Sequence, residues 1–198
     1  MKKIIAIYEA ILNRKEKICH KSEIIGIIKE YSESIRKINL ENTVWYLSRH
    51  KYIKRIILNF YYINSLDERK RAFCNYEDKE LLFIALNKAK IKWYLGLNSA
   101  LYQLGKIWQI PNTPTIINNK ISGKKKILEI EVRFIKIKEN LIFGLKEKKT
   151  KNNTVYFYSD LAKTSIDFAY FRKSNNIINL KETKNYLQKY PKWIRKLI

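Results

Sequence analysis

Cysteine is scarce: Cys19 and Cys74 are the only two in 198 residues. Two thiols cannot build a disulfide framework, which suits a reducing compartment. Histidine is equally rare, with His20 and His50. The four residues together would make a single Cys2His2 set, but their spacing matches no zinc-ligand pattern. A buried thiol and two incidental histidines are the simpler reading. The five glycines include no phosphate-cradling loop. Gly105-Lys106 and Gly123-Lys124 lack the upstream glycine and the Ser/Thr of a P-loop, and no Gly-x-Ser-x-Gly elbow occurs. No cofactor is expected. Long apolar runs are missing too, since the longest, residues 81–86, falls far short of the roughly 20 residues that span a bilayer. The opening Met1-Lys2-Lys3 is basic, but Glu9 ends a brief apolar stretch and no small-residue cleavage site follows. The start therefore reads as the first helix of a cytoplasmic protein without a membrane partner.

Acidic residues are also in deficit, 18 against 41 Lys and Arg, for a formal charge of +23. Such an excess favours a polyanionic partner, because lysines and arginines set against phosphates release condensed counterions. Residues 1–65 carry 13 basic and 6 acidic side chains and residues 66–198 carry 28 and 12. The excess is thus spread along the chain and does not locate a binding surface. A hydrophobic content of 46% is enough for buried cores.

What is present is most informative between Asn39 and Asn64. Leu40, Val44 and Leu47 fall at i, i+4 and i+7, one face of a helix that Asn39 is placed to cap. Asn42, Trp45, Tyr46 and Arg49 point the other way. Past His50 the pattern turns to β-branched and aromatic residues, Tyr52-Ile53, Ile56-Ile57-Leu58 and Phe60-Tyr61-Tyr62-Ile63, broken at Asn59 as in a hairpin. Upstream, Ile4, Ile7, Tyr8 and Ile11 mark a first helix over residues 2–13. Ser22 would cap a second over 23–31, with Ile24, Ile27 and Ile28 inward, and residues 32–38 would be the turn. Helix, helix, turn, helix and basic hairpin is the order of a winged helix-turn-helix domain, here residues 1–65.

In that arrangement Asn42, Tyr46 and Arg49 lie at the major groove, where arginine bonds guanine and asparagine bonds adenine, with Thr43 and His50 as further DNA contacts; a merely solvated helix face is the alternative. Arg36 and Lys37 in the turn lie near the phosphate backbone. Lys51, Lys54 and Arg55 on the hairpin suit phosphates, and equally suit edge-strand lysines that discourage aggregation. For Trp45, packing against a neighbouring domain or subunit is the commoner role of so large an exposed aromatic.

Residues 65–71, Ser-Leu-Asp-Glu-Arg-Lys-Arg, form a charged joint where a second domain, 66–198, is expected to begin. Residues 77–90 are helical by pattern, Trp93-Tyr94-Leu95 is a short strand, residues 99–105 a short helix closed by Gly105, and Pro111 and Pro114 bracket a turn. Along 127–138 the apolar positions run Ile130, Val132, Phe134 and then slip to Ile135 and Ile137. A β-bulge near Phe134 and Ile135 would bend one long strand of an antiparallel sheet to keep both halves on one core. Residues 141–145 and 154–158 make further strands joined by a lysine-rich loop. Ser159 is placed to cap a helix over 160–171, and residues 180–190 form a terminal helix. The expected class is α+β: a winged helix-turn-helix followed by a larger mixed α/β domain with a bent sheet.

Residues 93–105, Trp-Tyr-Leu-Gly-Leu-Asn-Ser-Ala-Leu-Tyr-Gln-Leu-Gly, followed by Gln109-Ile110-Pro111, resemble the antitoxins of the abortive-infection E (AbiE) toxin–antitoxin systems. A second block, residues 155–168 with Ser159, Thr164 and Asp167, resembles the same family's strand-to-helix motif. There Ala162 and Lys163 stand where the family usually has an acidic residue and an arginine. The resemblance covers roughly residues 93–171. It implies a non-catalytic protein with two tasks: repressing its own operon at inverted repeats in duplex DNA, which favours paired binding on two-fold sites, and counteracting a nucleotidyltransferase-like toxin encoded beside it.

Two alternatives read the residues differently. Glu129 and Glu131 on one strand face would suit a metal-dependent nuclease, although Arg133 is a simpler partner for them. Exposed Tyr61 and Tyr62 would suit an RNA-binding module. Asp167 either orients a group in a site or pairs with Lys163, one turn earlier on its own helix.

Overall fold

The computed structural model describes residues 2–32, 39–71, 73–172 and 183–195. They form a mixed α+β fold with two sheets, in two compact units, Met1–Ala85 and Leu86–Ile198. No helix among the described residues is long and apolar enough to cross a membrane.

The first unit runs α1 (Lys2–Leu12), β1 (Ile18–His20), α2 (Lys21–Ser32), α3 (Leu40–Arg49), β2 (Ile53–Arg55), β3 (Phe60–Ile63) and α4 (Leu66–Arg71). The three strands form an antiparallel sheet in the order β1-β3-β2, with Cys19 opposite Tyr61 and Ile53 opposite Ile63. Ile7, Tyr8 and Ile11 of α1, Ile24 and Ile28 of α2, and Val44 and Leu47 of α3 close over Ile53 and Ile63 in one core. The apolar stripes expected of α1, α2 and α3 face this core, with Ile4, Ile27 and Leu40 half-buried at its rim. Strand β1 was not foreseen: three residues are too few to display an alternating pattern. The second helix begins at Lys21 and not after Ser22, because the Glu23 carboxylate reaches back to accept the His20 N–H, 2.9 Å away.

The charged joint expected at residues 65–71 is helix α4, and it belongs to the first unit. Its Glu68 carboxylate accepts the Tyr62 hydroxyl at 2.6 Å and the Ser65 and Asn75 N–H groups at 2.7 and 2.9 Å. The Arg69 guanidinium lies 3.6 Å from the ring centroid of Tyr52. With these ties the division falls later, within α5 (Asp78–Lys88).

The second unit contains β4 (Trp93–Leu95), α6 (Asn98–Gln103), β5 (Thr115–Asn118), β6 (Gly123–Ile127), β7 (Ile130–Lys136), β8 (Leu145–Lys149), β9 (Val155–Ser159), α7 (Leu161–Tyr170), α8 (Lys184–Leu187) and α9 (Lys192–Arg195). The sheet order is β6-β7-β5-β4-β9-β8. It is mixed and not antiparallel throughout, since β5 with β7 and β4 with β9 run parallel. No bulge interrupts β7, which pairs residue for residue with β5 over Arg133 to Lys136 and with β6 over Ile130 to Phe134. The apolar slip has another cause. Val132 and Phe134 are buried on one face of the strand, while Ile135 and Ile137 turn to the core that Tyr94, Ile117, Ile166 and Tyr190 share. A strand covered on both faces carries apolar residues at both phases.

Of the lysines expected in a loop over residues 146–151, Lys146, Lys148 and Lys149 belong to β8, and Lys151 lies in the true turn, the short one from Thr150 to Thr154. Gly144 enters β8 with φ 62, and a Cβ there would lie 2.9 Å from the Tyr186 ring and 3.1 Å from Lys163 Cβ. Asp160, and not Ser159, caps α7, accepting the Lys163 N–H at 2.7 Å.

Candidate nucleic-acid interface

Helix α3 is fixed at both ends. Asn39 Oδ1 accepts the Asn42 N–H at 3.1 Å, the expected cap, and Lys21 pairs with Glu41 at 2.5 Å across to the start of α2. At the other end the Tyr52 N–H donates to the Leu47 carbonyl at 2.9 Å, and Lys51, at φ 58, turns the chain into β2. Val44 and Leu47 point into the core. Asn42, Trp45, Arg49 and His50 are exposed and Tyr46 is half-buried, so the outward stripe is open to solvent. Two ring contacts order it: the Arg49 guanidinium lies over Trp45, 5.0 Å from the centroid, and Tyr46 packs on His50 at 4.1 Å.

Thr43 does not share that stripe. It is 7% exposed and its hydroxyl donates to the Asn39 carbonyl at 3.0 Å, so it braces the first turn of α3 from the core side. Trp45 is 58% exposed. Arg36 and Lys37 lie outside the described residues.

The hairpin beside α3 is short. Leu58 and Asn59, with φ 51 and 61, form its turn, and the Asn59 carbonyl accepts the Lys21 N–H at 2.8 Å, which ties the turn to the start of α2. Lys51 and Arg55 are exposed and Lys54 half-buried. Tyr61 and Tyr62 are 7% and 0% exposed, one in the core and the other donating to Glu68. Neither can stack on a base.

The second unit holds an ionic group that sequence pairing half anticipated. Lys163 Nζ lies 2.5 Å from Asp167 Oδ1, and both side chains are wholly buried. Asp167 also accepts the Tyr94 hydroxyl at 2.8 Å and the Tyr190 hydroxyl at 2.9 Å, while Lys163 donates to Tyr190 as well. The rings of Tyr94, Phe143 and Tyr190 stand 5.1 to 5.2 Å from the ammonium. Burial pushes the Lys163 ammonium below the usual lysine range against the pull of Asp167, and pushes the Tyr94 and Tyr190 hydroxyls up. The i, i+4 spacing was legible, but its sealing under three aromatic rings was not.

Glu129 and Glu131 do not form a strand-face pair. Glu129 lies in the turn between β6 and β7 and pairs with Lys126 at 3.2 Å, whereas Glu131 faces Lys124 at 3.7 Å. Glu131 also accepts the Thr113 hydroxyl at 3.2 Å. A shallow hollow of about 340 Å³, lined by Asn119, Lys136, Ile137, Lys138, Glu139 and Tyr170, includes neither glutamate. Elsewhere in this unit, the loop after α6 leaves Trp108 91% and Ile110 52% exposed.

The chain matches no protein-family model and no curated protein.

Proposed function

We propose that this chain is a DNA-binding antitoxin of the AbiE kind, acting in the cytoplasm without catalysis. Its first unit binds inverted repeats in duplex DNA ahead of its own operon, and its second counteracts a nucleotidyltransferase-like toxin. The observation that carries the DNA half is the open stripe of α3, with Asn42 and Arg49 exposed and the opposite side of the helix locked into the core. The order α-β-α-α-β-β with the sheet β1-β3-β2 supports a winged helix-turn-helix reading of the unit. Arg49 bonds a guanine and Asn42 an adenine in the major groove, and Lys51, Lys54 and Arg55 neutralise phosphates. Paired protomers on two-fold sites then account for inverted repeats.

The antitoxin half rests on the family resemblance of residues 93–111 and 155–168. It is supported by the exposed Trp108, with Ile110 exposed two residues on, since tryptophan is enriched among the residues that anchor protein–protein contacts. Co-expression with the neighbouring gene tests it. The full chain should relieve growth arrest and a Trp108→Ala/Ile110→Ala variant should relieve it poorly. A neighbour that is harmless when expressed alone contradicts the antitoxin role. Footprinting on the upstream DNA tests the repressor role, with protection of an inverted repeat expected and uniform reactivity contradicting it.

A further inference from the structure

Trp45 stands four residues before Arg49 on the open stripe of α3, with the guanidinium over its ring at 5.0 Å. Stacking occupies the flat face of a guanidinium and leaves its N–H rim free, so a ring beneath arginine restricts its orientation without using its donors. We infer that on DNA the Arg49 guanidinium lies flat on Trp45, which so positions it on a guanine and itself meets the methyl group of a thymine in the adjoining base pair. This deepens the DNA-binding reading and rests on it.

The geometry follows from two planes. An arginine bonded to O6 and N7 of guanine lies roughly in the plane of that base. A ring stacked on the arginine's face is therefore displaced along the duplex axis, toward the neighbouring pair, which lies about 3.4 Å away per step. A thymine there presents its C5-methyl group in the major groove. The C–H edge of the indole, then level with that pair, gives the methyl an apolar contact, and gives the amino group of a cytosine at the same position no acceptor.

Selection of sites from a random duplex DNA library by the full chain, followed by titration of the selected duplex, tests this. The selected sites should share a guanine stacked on a thymine-bearing pair. Replacing that thymine by uracil, which lacks only the methyl, should weaken binding about fourfold, as expected for one buried carbon group. Trp45→Ala should bind the thymine and uracil duplexes equally, and Trp45→Phe should recover part of the difference. Replacing the guanine by 7-deazaguanine should weaken both the unaltered protein and Trp45→Ala. Equal binding of thymine and uracil duplexes by the unaltered protein overturns the inference, whatever the variants do. So does a Trp45→Ala protein that keeps the full thymine preference. Failure of the unaltered protein to enrich any sequence overturns the DNA-binding reading itself, and the inference with it.

Discussion

Lys163 and Asp167 stand one helical turn apart on α7, joined Nζ to Oδ1 at 2.5 Å, with neither side chain reaching solvent. A buried pair of this kind gains little over an apolar packing of the same volume, because both charges have been taken out of water. Removing one partner is different, since it strands the other. Lys163→Met should destabilise the protein by about 3–5 kcal/mol. Lys163→Met/Asp167→Leu should be the more stable of the two variants, although Tyr94 and Tyr190 then lose their acceptor. Denaturant midpoints decide it, and a single variant as stable as the double would contradict an uncompensated buried carboxylate.

The first unit should weaken in acid through Glu68. Burial raises this carboxyl, but the Ser65 and Asn75 N–H groups and the Tyr62 hydroxyl outweigh it, so its pKa lies below its ordinary 4.5. A carboxyl depressed on folding stabilises the folded state above its unfolded pKa, and that contribution is lost as pH falls through the folded value. Stability followed from pH 7 down to pH 3 should decline once the pH passes below about 4.5. Glu68→Gln should start less stable and decline less steeply. A parallel pH dependence in the two proteins would contradict the assignment.

Asn39 sets where α3 begins. Asn39→Ala should cost about 1 kcal/mol by leaving the Asn42 N–H without its cap. Asn39→Ser should restore most of it, and thermal melting of the three proteins reads the difference.

Thr43 and Asn42 are adjacent yet face opposite ways. Thr43→Val should lower stability by about 1 kcal/mol, the worth of its bond to the Asn39 carbonyl, and leave affinity for the selected DNA nearly unchanged. Asn42→Ala should do the reverse, leaving melting unchanged and weakening that affinity. An equal loss of DNA binding in both would contradict the division of α3 into a core side and an open side.

Helices α1, α2 and α3 were legible because each carries one apolar stripe at helical spacing and turns it to the core, whereas α4, Leu-Asp-Glu-Arg-Lys-Arg, carries none and read as a charged joint. In the second unit, patterns meaning "one face in" misled wherever two faces were in, as in β7, where Val132 and Ile135 both lie inward on opposite sides. Caps were readable to within a residue: Asn39 caps as its position suggested, but beside Ser159 it is Asp160 whose side chain meets the Lys163 N–H. Composition placed Tyr61 and Tyr62 among candidate base-stacking residues, but their burial depends on α1, α2 and α4, which no local pattern reports. The open stripe of α3 followed from the helical period at Asn42, Trp45 and Arg49, but not at Thr43, which flanks Val44 and is buried with it.

The most direct test of the DNA-binding account is the affinity of the full chain for its own upstream duplex and for a scrambled duplex, as salt is raised. The unaltered protein should prefer the upstream duplex by about 10³-fold or more and lose affinity for both steeply with salt. Arg49→Ala should keep the salt-sensitive binding and lose most of the preference. Equal affinity of the unaltered protein for the two duplexes, or a preference untouched by Arg49→Ala, would contradict it.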